Sequence, residues 1–471
     1  MSYDVIVIGA GPVGENVADR AAQGGLKVAI VENELVGGEC SFWACMPSKA
    51  LLRSGIAMRA AQHVGGAAQA VTSGIGVQEV LDRRNWIVGD WSDKGGAEWL
   101  EGAGIALERG RGEITGVKQV KVVRNDGSTK DLTANHAVVV STGSDAMIPD
   151  IPGIKDVKPW TSREATSSQK VPESLVIVGG GVVACEMATA WRTLGSKVTL
   201  TSRGKLLTTV EPFAGEMVAD CLKELGVDVR LGISPVSVSR SGDVIVQFND
   251  KSSVTASEIL IATGRTPRSK QLGLESVGLK DTWIPVDETL LVKHDTNKSD
   301  QWLYATGDIN HRALLTHQGK YQGRAAGDVI VARAKGLKLS TEPWGWHVAT
   351  ADIQSVPQVI FTDPEVAAVG LSEAEAKKRG YKVRTVEYEI GNVAGAYLHA
   401  DGYKGKAKAV VDEDRKVLLG VTFVGPDVSE MLQSATIAIV GEVPLQRLWH
   451  AVPAYPTISE IWLRLLETYG R

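Results

Sequence analysis

Asp4-Val5-Ile6-Val7-Ile8-Gly9-Ala10-Gly11-Pro12-Val13-Gly14 decides the fold. An apolar run breaks into Gly-x-Gly-x-x-Gly, a helical stretch follows to about Gly25, and residues 27–31 form a second apolar run closed by Glu32. Strand, glycine turn, helix, strand and acid together make a dinucleotide-binding βαβ unit, whereas the glycine pattern alone would be weak. Gly9 makes the tight turn, Gly11 lets backbone approach a pyrophosphate, and Gly14 permits close helix–sheet packing. Glu32 is placed to accept a hydrogen bond from a ribose hydroxyl.

The unit recurs. Residues 174–178 read as a strand, then come Gly179-Gly180-Gly181-Val182-Val183-Ala184, a helix to 194 and a strand over 197–201. Gly179, Gly181 and Ala184 fit G-x-G-x-x-G/A. Two units imply two dinucleotides, one held as a prosthetic group and one exchanged. The second unit ends without an acid, on Thr201-Ser202-Arg203-Gly204-Lys205. Basic residues there suit a 2′-phosphate, so NADPH is expected over NADH; the competing reading makes Arg203 and Lys205 a solvated loop end.

A chain of 471 residues calls for several domains. Its 44% apolar and 23% charged residues describe an ordinary globular protein, and a net charge of −4 gives no case for nucleic acid or an anionic membrane as partner. No apolar stretch is long enough to span a bilayer, and the first strand begins too early to leave room for a cleavable signal. Four cysteines are too few for a disulfide scaffold, and no short-spaced ligand set points to a metal. A cytoplasmic chain is expected. Residues 53–106 read as helical, with Trp86, Trp91 and Trp99 packing. Residues 112–132 read as strands around an Asn125-Asp126-Gly127 turn, and 137–140 as a buried strand running into Ser141-Thr142-Gly143. Another strand ends near Gly264, and residues 302–308 close on Asp308. The expected division is 1–150 and 286–346 for the first dinucleotide domain, 151–285 for the second, and 347–471 for an α+β domain.

Two of the four cysteines lie in Gly37-Gly38-Glu39-Cys40-Ser41-Phe42-Trp43-Ala44-Cys45-Met46-Pro47-Ser48-Lys49. Five residues apart in a regular helix, their Cα atoms would be about 8–9 Å apart. A disulfide needs about 4.4–6.8 Å. If they pair, the segment is a distorted turn entering a helix, with Pro47 tolerated in its first turn and Cys45 near its positive end, which favours thiolate. Cysteines at this spacing are more often unrelated, but their neighbours here reverse that reading.

Taken together, the chain resembles the flavoprotein disulfide reductases, the family of dihydrolipoamide dehydrogenase, glutathione reductase and mercuric reductase. The likeness covers almost the whole chain. It rests on both fingerprints, on Gly37-Gly38-x-Cys40-x4-Cys45-x-Pro47-Ser48-Lys49, on Glu186, on Ala305-Thr306-Gly307-Asp308 and on Phe361-Thr362-Asp363-Pro364-Glu365-Val366. It implies an α/β fold with FAD in the first Rossmann-like domain, NAD(P)H in the second and a C-terminal α+β domain that forms a homodimer. It further implies that Cys40 faces a small-molecule electron acceptor, that Cys45 lies against the flavin, that Lys49 and Glu186 pair beside flavin and nicotinamide, and that Asp308 holds the ribitol of FAD. Gly38, Thr142, Gly143 and Gly264 fall in its cofactor-binding turns.

The chain departs from this pattern near its end. Disulfide-reducing members carry His-Pro-Thr-x-x-Glu, their His serving as acid/base across the dimer; here the element reads Tyr455-Pro456-Thr457-Ile458-Ser459-Glu460. A phenol with pKa about 10 shuttles protons poorly at neutral pH compared with imidazole near 6.5. His450 is an alternative acid/base, although a lone His beside Trp449 more often packs. Phe42 and Trp43 are bulky for their positions, which fits either an apolar acceptor site or simple repacking. No metal-binding module precedes the first strand and no cysteine pair closes the chain, which argues against mercuric reductase and the larger thioredoxin reductases. His317 opens a helix after Asp308 and reads more readily as a hydrogen-bonded structural residue than as one approaching the flavin, and Cys185 and Cys221 are expected to pack in the core. Three functions follow: an NADPH-dependent FAD oxidoreductase cycling Cys40–Cys45; a quinone-type flavin reductase with auxiliary cysteines; and a flavin-bound redox sensor with little turnover.

Overall fold

The computed structural model describes residues 1–297 and 300–470. It is a mixed α/β structure that resolves into two compact units, each assembled from three segments: 1–47, 85–145 and 265–353 in the first, 48–84, 146–264 and 354–471 in the second.

In the first unit, strand β1 (Ser2–Ile8) has Val5 to Ile8 almost wholly buried, the pattern of a strand covered on both faces. It pairs in parallel with β2 (Val28–Glu32) on one side and with strand Thr129–Val140 on the other. Strands Ala106–Arg109 and Leu303–Ala305 extend the parallel part, and the antiparallel pair Arg111–Gly116 and Gln119–Val123 continues the sheet. The turn at 125–127 closes as expected, with Gly127 at φ +82° and the Arg124 N–H donating to Ser128 O. Helix α1 (Pro12–Gln23) lies against helix Thr316–Ala334. That second helix carries Gly319, Gly323 and Gly327 at a spacing of four, which puts them on one face. A Cβ on Gly323 would come within 2.7 Å of Val13 O, and one on Gly327 within 2.5 Å of Arg20 Cβ. The helices therefore meet almost backbone to backbone.

The second unit holds a parallel sheet in the order Asp228–Leu231, Lys197–Ser202, Ser174–Val178, Glu258–Ile261, and a three-stranded antiparallel sheet. Its C-terminal part is a five-stranded antiparallel sheet covered by helices Leu432–Val440 and Ile461–Tyr469, which bury Ala435, Ile461 and Leu465 against it. Within this unit a buried Lys408 ammonium lies 2.9 Å from Glu211 and 2.6 Å from Glu373.

Trp86 is a correction to the expected packing. It is 75% exposed, at a helix position that faces away from the buried Val80, Leu81 and Arg84. Trp99 is also largely exposed, and only Trp91 is tied in, donating Nε1–H to Phe42 O at 3.1 Å. Cys185 is buried as expected; Cys221 is only half-buried. Among the described residues no helix is long and apolar enough to cross a membrane.

Replacing Gly323 with valine would force a branched side chain against Val13 backbone. Overpacking of this kind costs about 1–3 kcal/mol. The variant should unfold at lower urea concentration and be purified with less bound flavin than the parent.

Candidate active site

The two fingerprints share one geometry. Gly9 has φ +105°, and a Cβ there would stand 2.5 Å from Ser141 O; a Cβ on Gly14 would stand 1.9 Å from Gly9 O. Gly11, between them, opens onto free space bordered only by the Cα of Gly38, 4.0 Å from where its Cβ would be. In the second unit Gly179 (φ +141°) presses on Ala262 O, Gly181 has nothing near it and Ala184 is buried. Helices α1 and Val182–Thr193 start at Gly11 and Gly181 with no side-chain cap, so their first N–H groups remain for an anion. These cradles fit a dinucleotide pyrophosphate in each unit.

Glu32 ends β2 with Oε2 accepting the Ala10 N–H and Oε1 the Glu34 N–H, both at 2.7 Å. Burial raises its carboxyl above the usual range, against those two bonds. Thr142 Oγ1 donates to Arg268 O at 2.8 Å, and Gly143 (φ +76°) has open space above it. Asp308 sits in the turn Gly307–Asn310, with Oδ2 accepting from Ser144 Oγ at 2.5 Å and lying 3.6 Å from the Arg265 guanidinium. Beneath it Gln322 Oε1 accepts the Gly307 N–H and Asn310 Nδ2, while its amide donates to Asp352. Burial pushes the Asp352 carboxyl up to about 6 despite Arg312, Gln322 and Gln318.

The cysteine segment is broken between the two cysteines, as their pairing would need. Helix α2 (Gly38–Phe42) carries Cys40 and stops at Trp43, whose φ of −139° is not helical; helix α3 (Cys45–Gln62) then begins at Cys45, with Pro47 in its first turn. Both cysteines are half-buried. Cys45 Sγ lies 3.3 Å from Thr316 Oγ1, the first residue of helix Thr316–Ala334. Two helix N-termini therefore meet at this sulfur. The sequence marked a helix opening at His317, but not the contact of Thr316 with Cys45, 271 residues away. His317 is exposed beside it.

In the second unit, Lys49 Nζ and Glu186 Oε2 are 2.7 Å apart, with the glutamate 3% exposed. Glu186 Oε1 accepts the Phe361 N–H at 3.0 Å, and the Lys49 ammonium lies 5.0 Å from the centre of the Phe361 ring. Arg203 and Lys205 are exposed at the end of their strand; Lys205 pairs with Glu216 at 2.8 Å, and among the described residues no carboxylate pairs with Arg203. Gly264 (φ +146°) is exposed.

The C-terminal residues are not gathered into a relay within the chain. Tyr455 is 76% exposed and His450 is exposed. Glu460 is buried, its Oε1 accepting from Arg464 at 2.6 Å and its Oε2 without a hydrogen-bond partner.

Two dinucleotide cradles, a broken cysteine helix and a lysine paired with a buried glutamate define a flavoprotein disulfide reductase. Residues 3–334 match the pyridine nucleotide-disulphide oxidoreductase model and residues 356–465 its dimerisation domain, so the chain belongs to that family. It is 32% identical to dihydrolipoyl dehydrogenase of Thermus scotoductus, over 98% of this chain and 95% of that protein. It is 31% identical to mercuric reductase of Shigella flexneri, over 99% and 81%. Its fold matches the HOCl-induced flavoprotein disulfide reductase RclA from Escherichia coli, solved as a Cu(II) complex (TM-score 0.82, 23% identity, 99% of each chain). It also matches LpdA from Mycobacterium tuberculosis (TM-score 0.82, 24% identity, 99% and 100%). The chain is a pyridine-nucleotide-dependent FAD oxidoreductase of the disulfide reductase type, and the family's cofactors are FAD and NAD(P)H.

Glu15, in the first turn of α1, escaped the sequence reading although an acid directly after the fingerprint glycine was visible. Burial pushes its carboxyl up to about 7, opposed by Lys320 and reinforced by Glu32. Because the folded state keeps a proton that the unfolded chain releases near pH 4.5, stability falls as pH rises between 4.5 and 7. Urea unfolding should show a loss on the order of 3 kcal/mol across that window, and Glu15→Gln should remove that loss.

Proposed function

We propose that the chain uses NADPH to reduce a small acceptor through a Cys40–Cys45 disulfide in the cytoplasm, working as a homodimer. In this reading residues 1–150 and 286–346 hold FAD, 151–285 hold NADPH and 347–471 form the dimer. FAD, when bound, accepts a hydride from the nicotinamide and delivers an electron pair to a disulfide. The chain's own residues do the rest. Gly9, Gly11, Gly14, Gly38 and Glu32 seat the adenosine pyrophosphate, Thr142, Gly143 and Asp308 the flavin half, and Gly179, Gly181, Ala184, Arg203, Lys205 and Gly264 the nicotinamide dinucleotide. Lys49, held by Glu186, would supply a fixed positive charge beside the flavin.

The observation that carries this reading is Cys45 at the first residue of α3 with its sulfur on Thr316, because the N–H groups of both helix ends suit a negative sulfur. Cys40 thiolate attacks one sulfur of a disulfide acceptor and expels the other as thiolate; Cys45 thiolate then attacks Cys40 Sγ, releases the second thiolate and restores the Cys40–Cys45 bond. Both leaving thiolates need protons. Tyr455 and His450 are the remaining donors, with Glu460 already engaged by Arg464. That engagement favours a second reading, in which quinone-like acceptors drawing protons from water are the better substrates.

Cys45→Ser separates the two: loss of acceptor reduction supports the disulfide route, and undiminished quinone reduction supports the other. Tyr455→His should raise disulfide reduction about tenfold or more, within the range of general acid–base help, and leave quinone reduction unchanged.

Arg203→Ala should raise the KM for NADPH about 10–100-fold, the value of a charge-assisted hydrogen bond, with the KM for NADH unmoved. Equal effects on both nucleotides would assign Arg203 to the solvated loop.

A further inference from the structure

Lys49 and Glu186 lie on two helices, α3 and Val182–Thr193, that touch again farther along. Gly55 sits directly on Thr193, where a Cβ would come within 2.5 Å of the threonine Cγ2. One turn on, the Arg59 guanidinium donates Nη1–H to Thr193 Oγ1 at 2.9 Å and Nε–H to the Asp363 carboxylate. Gly55 and Arg59, four apart, share a face of α3. Asp363 follows Phe361 by two residues, and it is the Phe361 N–H that donates to Glu186 Oε1. The segment 361–363 is therefore held at both ends, by Glu186 through its amide and by Arg59 through its carboxylate. Thr362 Oγ1 donates to Pro364 O at 2.7 Å and stiffens the turn between. Arg59 has only 16% of its side chain exposed, and its Nη2 is buried without a partner, so the guanidinium is committed to this position.

We infer that Arg59 is a positioning residue for the Lys49–Glu186 pair. It locks the register of α3 on helix Val182–Thr193 through Thr193 and, through Asp363, aims the Phe361 amide at Glu186. A buried carboxylate with its partners fixed from two directions has little freedom to move, and small misplacements at a reacting centre are costly. This inference rests on the reading of Lys49 and Glu186 as the charges beside the flavin.

The test uses flavin-loaded Arg59→Met, Arg59→Lys, Lys49→Met and the Arg59→Met/Lys49→Met double variant. Stopped-flow reduction by NADPH gives the hydride-transfer rate and the nucleotide Kd separately; hydrogen–deuterium exchange reports the segment 357–364 without any turnover. Arg59→Met should slow hydride transfer about tenfold with the Kd changed less than twofold, and speed exchange at Phe361. Arg59→Lys, which keeps the Asp363 ion pair, should recover part of both. The double variant should be no slower than Lys49→Met alone, because both changes act on one pair. Multiplying effects in the double variant, or unaltered exchange at Phe361, would overturn the inference. If Lys49→Met slows transfer and Arg59→Met does not, the clamp is wrong and the site reading stands; if neither does, the site reading itself is wrong. Should Arg59→Met not fold, Asp363→Asn carries the same expectations and the same contrary results.

Discussion

The interruption between α2 and α3 is the constraint on which the site depends. A continuous helix through residues 38–62 would carry Cys40 and Cys45 too far apart to join, and would leave Cys45 as an interior helical residue with its amide already bonded. Ending one helix at Trp43 and starting the next at Cys45 frees the N-terminal donors of α3 around that residue. Thr316 adds a second helix start at the same sulfur, and the three glycines of its helix let it pack closely on α1.

The second unit solves a different problem, that of a carboxylate taken out of water while its lysine partner stays half-buried. A buried ion pair is stable only when its remaining lone pairs and protons are satisfied. Glu186 meets that condition with one oxygen on Lys49 and the other on a backbone amide, and the lysine finds an aromatic face in Phe361. The C-terminal element runs the other way. Glu460 accepts from Arg464, and Tyr455 is exposed on its own chain.

Much of this was legible in the sequence because it is local. The two fingerprints, the strand at 174–178, the 125–127 turn and the need for a helix break between Cys40 and Cys45 all follow from residues within about 15 positions of one another. Apart from Lys49–Glu186, which the family resemblance implied, pairings across the chain were not legible. Thr316 on Cys45, Phe361 on Glu186 and Asp363 on Arg59 join positions 271, 175 and 304 residues apart, and no periodicity reports them. Gly319, Gly323 and Gly327 did carry a signal, small residues every fourth position in a helix, that went unread. Trp86 failed for a simpler reason: bulk and aromaticity say that a residue can be buried, while the face of the helix decides whether it is.

Anaerobic titration with NADPH tests the central claim most directly, since it counts the electrons the protein can hold. A sulfur pair in redox contact with the flavin predicts uptake of four electrons, with a long-wavelength absorption band at the two-electron stage from thiolate facing oxidised flavin. Simple bleaching complete at two electrons, with no such band, would contradict it.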